Sequence, residues 1–250
     1  MSASYRPAQQ SPPARSSARC HLLVDFDGTI APNDPTDRLL EQFALPAWRD
    51  IETAWQAGRI SSRECMARHA GLLRVTPEDL DTAIRAMRID PSFHAFVAFC
   101  RRRRVDLTIV SDGFDRVVRT LLDCEGLPIP FFANRLDWQG GDRWSLAFPH
   151  GDADCRSQGG NCKCSHGADQ PGACVVIGDG RSDFCMAERA DYVIAKGALA
   201  HFCRERGLPH ASFTTFDDAE ARLARWLARR GRSARAKPSL TEPQPWGRRT

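Results

Sequence analysis

Two carboxylates, Asp25 and Asp27, follow the apolar run Leu22-Leu23-Val24 and precede Gly28-Thr29-Ile30. Alternation along a strand sends residues two apart to one face, so the pair is expected to share one environment. Like charges that close are costly unless a cation or a shared proton relieves them. A nucleophilic carboxylate with a neighbouring acid and a Mg²⁺ ion would suit such a pair. Taken alone, the same residues also suit a surface turn or a calcium-loop-like segment.

Three further segments could join them. The run Val105–Val110 leads into Ser111-Asp112-Gly113, where a hydroxyl and free backbone N–H groups ahead of a helix could cradle phosphate. An ordinary strand-to-helix cap is the competing reading. Val175-Val176-Ile177 leads into Gly178-Asp179-Gly180-Arg181-Ser182-Asp183, whose two acids can converge on the cation of the first pair. Of only three lysines (Lys163, Lys196 and Lys237), Lys163 alone lies between Ser111 and Asp179. Its compact ammonium suits a point contact to both a phosphate and a carboxylate, although a surface lysine would look the same.

The elements that must position these groups alternate. Buried strands are expected at Leu22–Val24, Val105–Val110, Ile129–Phe132, Val175–Ile177, Tyr192–Ile194 and near Phe213, with a hairpin at Trp138/Trp144 around Gly140-Gly141. Helices are expected at Pro91–Arg103, Phe114–Cys124, Ser182–Arg189, Leu199–Arg206 and Asp217–Arg229. That order implies a parallel, doubly wound sheet. From Asp34 to Arg88 the pattern is helical throughout. Thr36 is expected to cap the first helix, Ser61 another through Gly71, and Thr76 a third through Met87.

Asp-x-Asp-Gly-Thr, Ser-Asp-Gly, Lys163 and Gly-Asp-Gly-x-x-Asp, in that order, resemble the four motifs of haloacid dehalogenase superfamily phosphatases. The resemblance spans Leu22 to Leu227. It implies an α/β fold with a Rossmann-like core at 20–32 and 89–230 and an inserted helical-bundle cap at 33–88. A disordered leader at 1–19 and a disordered basic tail at 231–250 would flank them. It further implies Asp25 as nucleophile, Asp27 as acid and base, and Ser111, Gly113 and Lys163 as phosphate-binding groups. Mg²⁺ would be held by Asp25, the Asp27 main-chain carbonyl, Asp179 and Asp183. An acid at Asp27 protonates an alkoxide but is not needed for halide loss, so a phosphate ester is the expected substrate.

The helical insertion looks like that of the phosphoserine phosphatase-like branch. The tract Trp144 to Lys163, with Phe148-Pro149-His150 and Asn161-Cys162-Lys163-Cys164, is similar to the 2-hydroxy-3-keto-5-methylthiopentenyl-1-phosphate phosphatases of methionine salvage. A cysteine-flanked lysine also resembles the phosphoethanolamine/phosphocholine phosphatases. Asp34 stands where phosphoserine phosphatases carry a Glu that meets the substrate amine, which puts amine recognition in doubt. Trp48, Arg49, Trp55, Arg63 and Met66 are candidates for substrate contact, most of them expected in the bundle core or on a solvated face.

Composition sets outer bounds. The 250 residues are 42% hydrophobic and 26% charged with a net charge of +4, ordinary globular values. No apolar stretch is long enough to span a membrane and no secretory signal is visible, so a cytoplasmic protein with mostly reduced thiols is expected. Six of the ten cysteines (Cys20, Cys65, Cys100, Cys124, Cys174 and Cys185) read as small core side chains. His150, Cys155, Cys162, Cys164 and His166 crowd one Gly-rich stretch and could hold a structural Zn²⁺. Cys-x-Cys is not usual zinc-knuckle spacing, and reduced thiols or a redox-formed bridge are the alternatives. A non-enzymatic zinc- or nucleic-acid-binding module would explain neither the acid pairs nor their order. The expected partner is a small-molecule phosphate ester, with no membrane or nucleic acid, and a homodimer is left open.

Overall fold

In the computed structural model, residues 20–155, 158–167 and 172–235 are described. The leader expected at 1–19 and the last fifteen residues of the expected tail, 236–250, lie outside them. The strands are β1 (Cys20–Val24), β2 (Val105–Phe114), β3 (Phe131–Trp138), β4 (Trp144–Ala147), β5 (Ala173–Gly178), β6 (Tyr192–Ala195) and β7 (His210–Ser212). They form one sheet in the order β4-β3-β2-β1-β5-β6-β7, parallel throughout except for the β3/β4 hairpin at its edge.

The helices are α1 (Pro35–Phe43), α2 (Trp48–Gln56), α3 (Ser62–Leu72), α4 (Pro77–Arg85), α5 (Phe93–Arg103), α6 (Asp115–Cys124), α7 (Phe184–Ala187), α8 (Gly197–Glu205) and α9 (Phe216–Arg235). Parallel strands need both faces covered, and these are. Leu22, Val24, Val175 and Ile177 point to the side packed by α5, α6 and α9. Leu23, Val110 and Val176 point to the side packed by α7 and α8. The chain runs outward from β1 to β2 and β3, then returns to β5 beside β1 and runs outward the other way. Strand order therefore reverses at β1, and ligands of such sheets bind in the crevice at that reversal.

The observed elements depart from the sequence expectations at named points. The cap of α1 is Asp34, whose carboxylate accepts from the Asp37 N–H, because Thr36 spends its hydroxyl on Asp27. Ser61 and Thr76 cap α3 and α4 as expected. Strand β2 continues through Ser111-Asp112-Gly113 with a register shift against β3, so those residues form an irregular strand end and α6 starts after them. Strand β1 ends at Val24, leaving Asp25 and Asp27 in the loop beyond it. Ile129–Phe132 and the first arm of the hairpin merge into the single strand β3. The helix expected from Ser182 is a 3-10 turn, Arg181–Asp183, followed by the short α7. Helix α9 runs on to Arg235, into the segment expected as tail.

Four helices, α1 to α4, fill the stretch between β1 and α5. They lean on the hairpin and α6: Trp144 donates its indole N–H to the Val75 carbonyl at 2.9 Å, and Arg116 grips Asp81 with two bonds of 2.7 and 2.8 Å. Beneath the sheet, Phe93 and Phe96 of α5 pack on Phe216 of α9, with ring centroids 4.7 and 5.1 Å apart. All three rings are fully buried. Phe96→Ala is expected to cost about 3–5 kcal/mol through lost burial and an unfilled cavity, read as a lower denaturant midpoint at unchanged slope.

Candidate active site

The three loops that leave the carboxyl ends of β1, β2 and β5 meet at the reversal of strand order, and a fourth segment brings Lys163 between them. The Lys163 ammonium lies 2.5 Å from Asp25 Oδ1, 2.7 Å from Asp183 Oδ1 and 3.0 Å from Ser182 Oγ. Lys163, Asp25 and Asp183 are all buried, with Lys163 only 2% exposed. Burial alone would lower the lysine's affinity for its proton, but Asp183 and Asp25 together outweigh it and hold the ammonium charged. Asp25 is pushed well above the usual carboxylate range, first by burial and then by the Asp183 charge, with Lys163 opposing.

Several of the other carboxylate oxygens have hydrogen-bond donors. Asp183 Oδ2 accepts from the Asp179 and Gly180 N–H groups at 3.1 and 3.2 Å, so both of its oxygens are engaged. Thr29 donates to Asp179 Oδ1 at 3.0 Å. Burial, then Asp183, raises the Asp179 pKa. Asp27 accepts from Thr36 at 3.2 Å and from Ser111 at 2.8 Å, and burial raises its pKa against those bonds. Gly113 donates its N–H to Ser111 Oγ at 2.9 Å. The seven residues singled out in the sequence thus gather in one place. Ser111 sits one hydrogen bond behind Asp27 and Gly113 one further, bonded to Ser111.

Two glycines are there for closeness. Gly28 has φ +76°, and a Cβ on it would stand 2.5 Å from Asp179 Oδ2. A Cβ on Gly113 would stand 2.6 Å from Asp27 Oδ2 and 3.0 Å from Thr36 Oγ1.

Asp25, Asp179 and Asp183 bring carboxylate oxygens within 4.8 Å of one another. With Asp27 beside them, four carboxylates face one ammonium. An all-oxygen, electron-rich donor set of that kind fits a hard divalent cation such as Mg²⁺.

A cavity of about 220 Å³ opens over these groups. Its opposite wall comes from the helices, with Asp34, Asp37, Glu52, Trp55, Met66 and His69 among the lining residues. Of the substrate-contact candidates, Trp55 and Met66 line it, whereas Trp48 is buried with Arg49 stacked 4.7 Å over its ring. Arg63 lies over Phe148 at 5.5 Å, away from the cavity. Thr29, Thr36, Ser182 and Asn161 are participants to which the sequence reading gave no role in the site. Thr29 and Ser182 sat within the motifs, but nothing local distinguishes Thr36 as the neighbour of Asp27. Asn161 donates its side chain to the Ser111 and Phe132 carbonyls at 2.9 and 3.0 Å, fixing the backbone next to Lys163.

The family profile of the haloacid dehalogenase-like hydrolases matches residues 22–188. The chain is 40% identical over 212 residues to a 2-hydroxy-3-keto-5-methylthiopentenyl-1-phosphate phosphatase of Geobacillus kaustophilus, covering 82% of this chain and 95% of that protein. Among solved structures it is similar to a phosphoserine phosphatase from T. onnurineus, with TM-score 0.60 and 16% identity over 86% of this chain and 97% of that one. A phosphoserine phosphatase solved as a phospho-aspartyl intermediate analogue aligns with TM-score 0.56 and 22% identity, over 74% of this chain and 91% of that one. The chain belongs to the haloacid dehalogenase-like hydrolases. Within them it is a phosphoric monoester hydrolase with the Rossmann-like α/β fold of the family.

The charge balance sets a pH dependence. Carboxylates whose folded pKa is raised hold extra protons in the folded state, so their contribution is complete below the ordinary value of 3.8 and is lost as pH rises through the folded value. For Asp37, pushed up to about 6 by burial, that loss is complete above about 6. A bound cation removes the penalty, so stabilisation by added Mg²⁺ over EDTA is expected to be larger at about pH 8 than at about pH 5, read as thermal midpoints. Gly113→Ala, by displacing Asp27, is expected to lower turnover of a phosphate ester roughly a hundredfold while the protein stays folded.

Proposed function

We propose that the chain is a Mg²⁺-dependent phosphatase acting through an aspartyl-phosphate on Asp25, with 2-hydroxy-3-keto-5-methylthiopentenyl-1-phosphate, the methionine-salvage ester, as substrate. The observation that carries the reading is the Lys163 ammonium held between Asp25 and Asp183 at the sheet's reversal point. Asp25, Asp179 and the Asp27 carbonyl would hold the ion, with Asp183 steadying them because its own oxygens are engaged. When bound, Mg²⁺ supplies positive charge against the phosphoryl oxygens.

Asp25 has Oδ1 tied to Lys163, which leaves Oδ2 to attack phosphorus in line. Asp27, its pKa raised by burial, carries a proton to the leaving alkoxide and then takes one from the water that cleaves the acyl phosphate. Lys163, with Ser111 and Gly113 exchanging their present partners for phosphoryl oxygens, spreads the developing charge. The core would be 20–32 and 89–230, and the helices of 33–88 would act as a cap that closes over the site and reads the leaving group. The closed contact is supported by Ser62, which bonds Asp112, and by Arg181, which donates to the Gln56 carbonyl at 3.1 Å.

The substrate assignment is supported by the relative at 40% identity and by the Trp55 and Met66 side chains, an apolar wall suited to a methylthio group. A second reading has a specific observation behind it. Asp34, Asp37 and Glu52 line the same cavity and would favour a cationic leaving group, as in phosphoserine or phosphoethanolamine.

Asp25→Asn is expected to abolish p-nitrophenyl phosphate hydrolysis, and EDTA to do the same reversibly. Acid-quenched wild type incubated with labelled substrate is expected to carry label that hydroxylamine releases, and Asp25→Asn to carry none. A phosphate-release screen over the methylthiopentenyl ester, phosphoserine and phosphoethanolamine decides the leaving group. Preference for the first in kcat/KM supports the substrate proposed, and preference for an amine ester replaces it.

A further inference from the structure

Around the residues that flank Lys163 in the chain, three sulfurs converge with a fourth beside them. The Sγ atoms of Cys155, Cys164 and Cys185 all lie within 4.8 Å of one another, and Cys162 Sγ lies 3.4 Å from Cys164 Sγ. Cys155, Cys162 and Cys164 are buried, and the four pack as one cluster. A tetrahedral zinc centre with Zn–S bonds of about 2.3 Å has sulfurs about 3.8 Å apart, within the 4.8 Å limit that holds for Cys155, Cys164 and Cys185 and a little beyond the 3.4 Å between Cys162 and Cys164. A cavity of about 50 Å³, lined by all four cysteines with Asp152 and Arg189, offers the room.

The membership differs from the sequence expectation. Cys185, read there as a dispersed core residue, replaces both histidines. His166 stacks on Phe132 at 4.1 Å and meets Asn161 Oδ1 at 2.6 Å, while His150 sets its edge on Phe132 at 5.0 Å. Neither ring belongs to the sulfur cluster.

We propose that Cys155, Cys162, Cys164 and Cys185 bind a structural Zn²⁺ ion that clamps the lysine-bearing segment to the segment carrying the late aspartates. Two ligands flank Lys163 directly, and Cys185 stands two residues after Asp183. One ion thereby fixes the backbone on both sides of the ammonium and ties it to the carboxylate it meets. The segment from Phe148 to Gly167 contains no helix or strand among its described residues, so its own secondary structure cannot supply that rigidity. The donor set also separates this site from the carboxylate site: soft thiolates select Zn²⁺, and hard oxygens select Mg²⁺.

Elemental analysis of full-length protein purified under reducing conditions tests the site independently of the catalytic reading. About one zinc per chain is expected, retained in Asp179→Asn, which alters only the carboxylate site. Cys164→Ser and Cys185→Ser are expected to lose the ion and lower the thermal midpoint, while Cys185→His, which preserves a ligand, keeps zinc. Cobalt exchanged into the site is expected to give thiolate charge-transfer absorption and the strong visible bands of tetrahedral coordination. Protein that stays zinc-free after reconstitution with zinc under reducing conditions would overturn the proposal. So would zinc content unchanged by Cys185→Ser, or a disulfide among the four in the reduced preparation.

Discussion

An ammonium buried between two carboxylates is the constraint around which the rest of the molecule is arranged. Taking Lys163, Asp25 and Asp183 out of water is expensive, and their mutual attraction offsets that only with short, well-aligned bonds. Removing one partner of such a set costs about 3–5 kcal/mol, because it strands an uncompensated charge. The three residues come from three places in the chain, so the bonds can form only when the sheet, the segment after the hairpin and the turn after β5 are all in place. Even then four carboxylates share one ammonium. A divalent cation bound there would offset the residual negative charge.

The topology explains why these groups meet. Because β1 lies between β2 and β5, the loops leaving all three carboxyl ends crowd one rim. The turns are tight enough to need glycine where a methyl group would strike a carboxylate, as at Gly28 against Asp179 and Gly113 against Asp27. Asp183 shows the economy of the local backbone. It folds the segment after β5 into a 3-10 turn by accepting from two of its N–H groups, which shortens α7 and leaves the other oxygen for Lys163.

What could be read from the sequence was whatever local order encodes. Asp25, Asp27, Asp179 and Asp183 follow runs of apolar, β-branched residues, so their place at strand ends was visible without any tertiary knowledge. Lys163 was visible only because lysine is so scarce in the chain. The alternating strand and helix periods gave the sheet, yet not the continuation of β2 through Ser111-Asp112-Gly113, whose irregular pairing with β3 depends on a partner strand. Thr36 illustrates the limit. Its position just ahead of the apolar-periodic run from Asp37 suggested a helix cap, but tertiary contact with Asp27 took its hydroxyl and Asp34 became the cap. Cys185 was hidden for the same reason: its apolar neighbours looked like core, while the cluster it joins is assembled from residues some twenty to thirty positions away.

Asp112, the middle residue of the second motif, links these levels. One of its carboxylate oxygens accepts from the Asn161 N–H at 2.9 Å and from the Asn134 side chain at 3.3 Å, and the other from Ser62 at the start of α3. A single side chain thus joins the lysine segment, β3 and the helices over the cavity. Movement of those helices that broke the Ser62 bond would leave one Asp112 oxygen without that donor, and the backbone that carries Lys163 would feel the change through Asn161. Coupling of that kind would need the helices to have two discrete positions over the rim. The backbone beside Lys163 is thus held through Asn161 by Asp112, the same side chain that the helices over the cavity reach through Ser62.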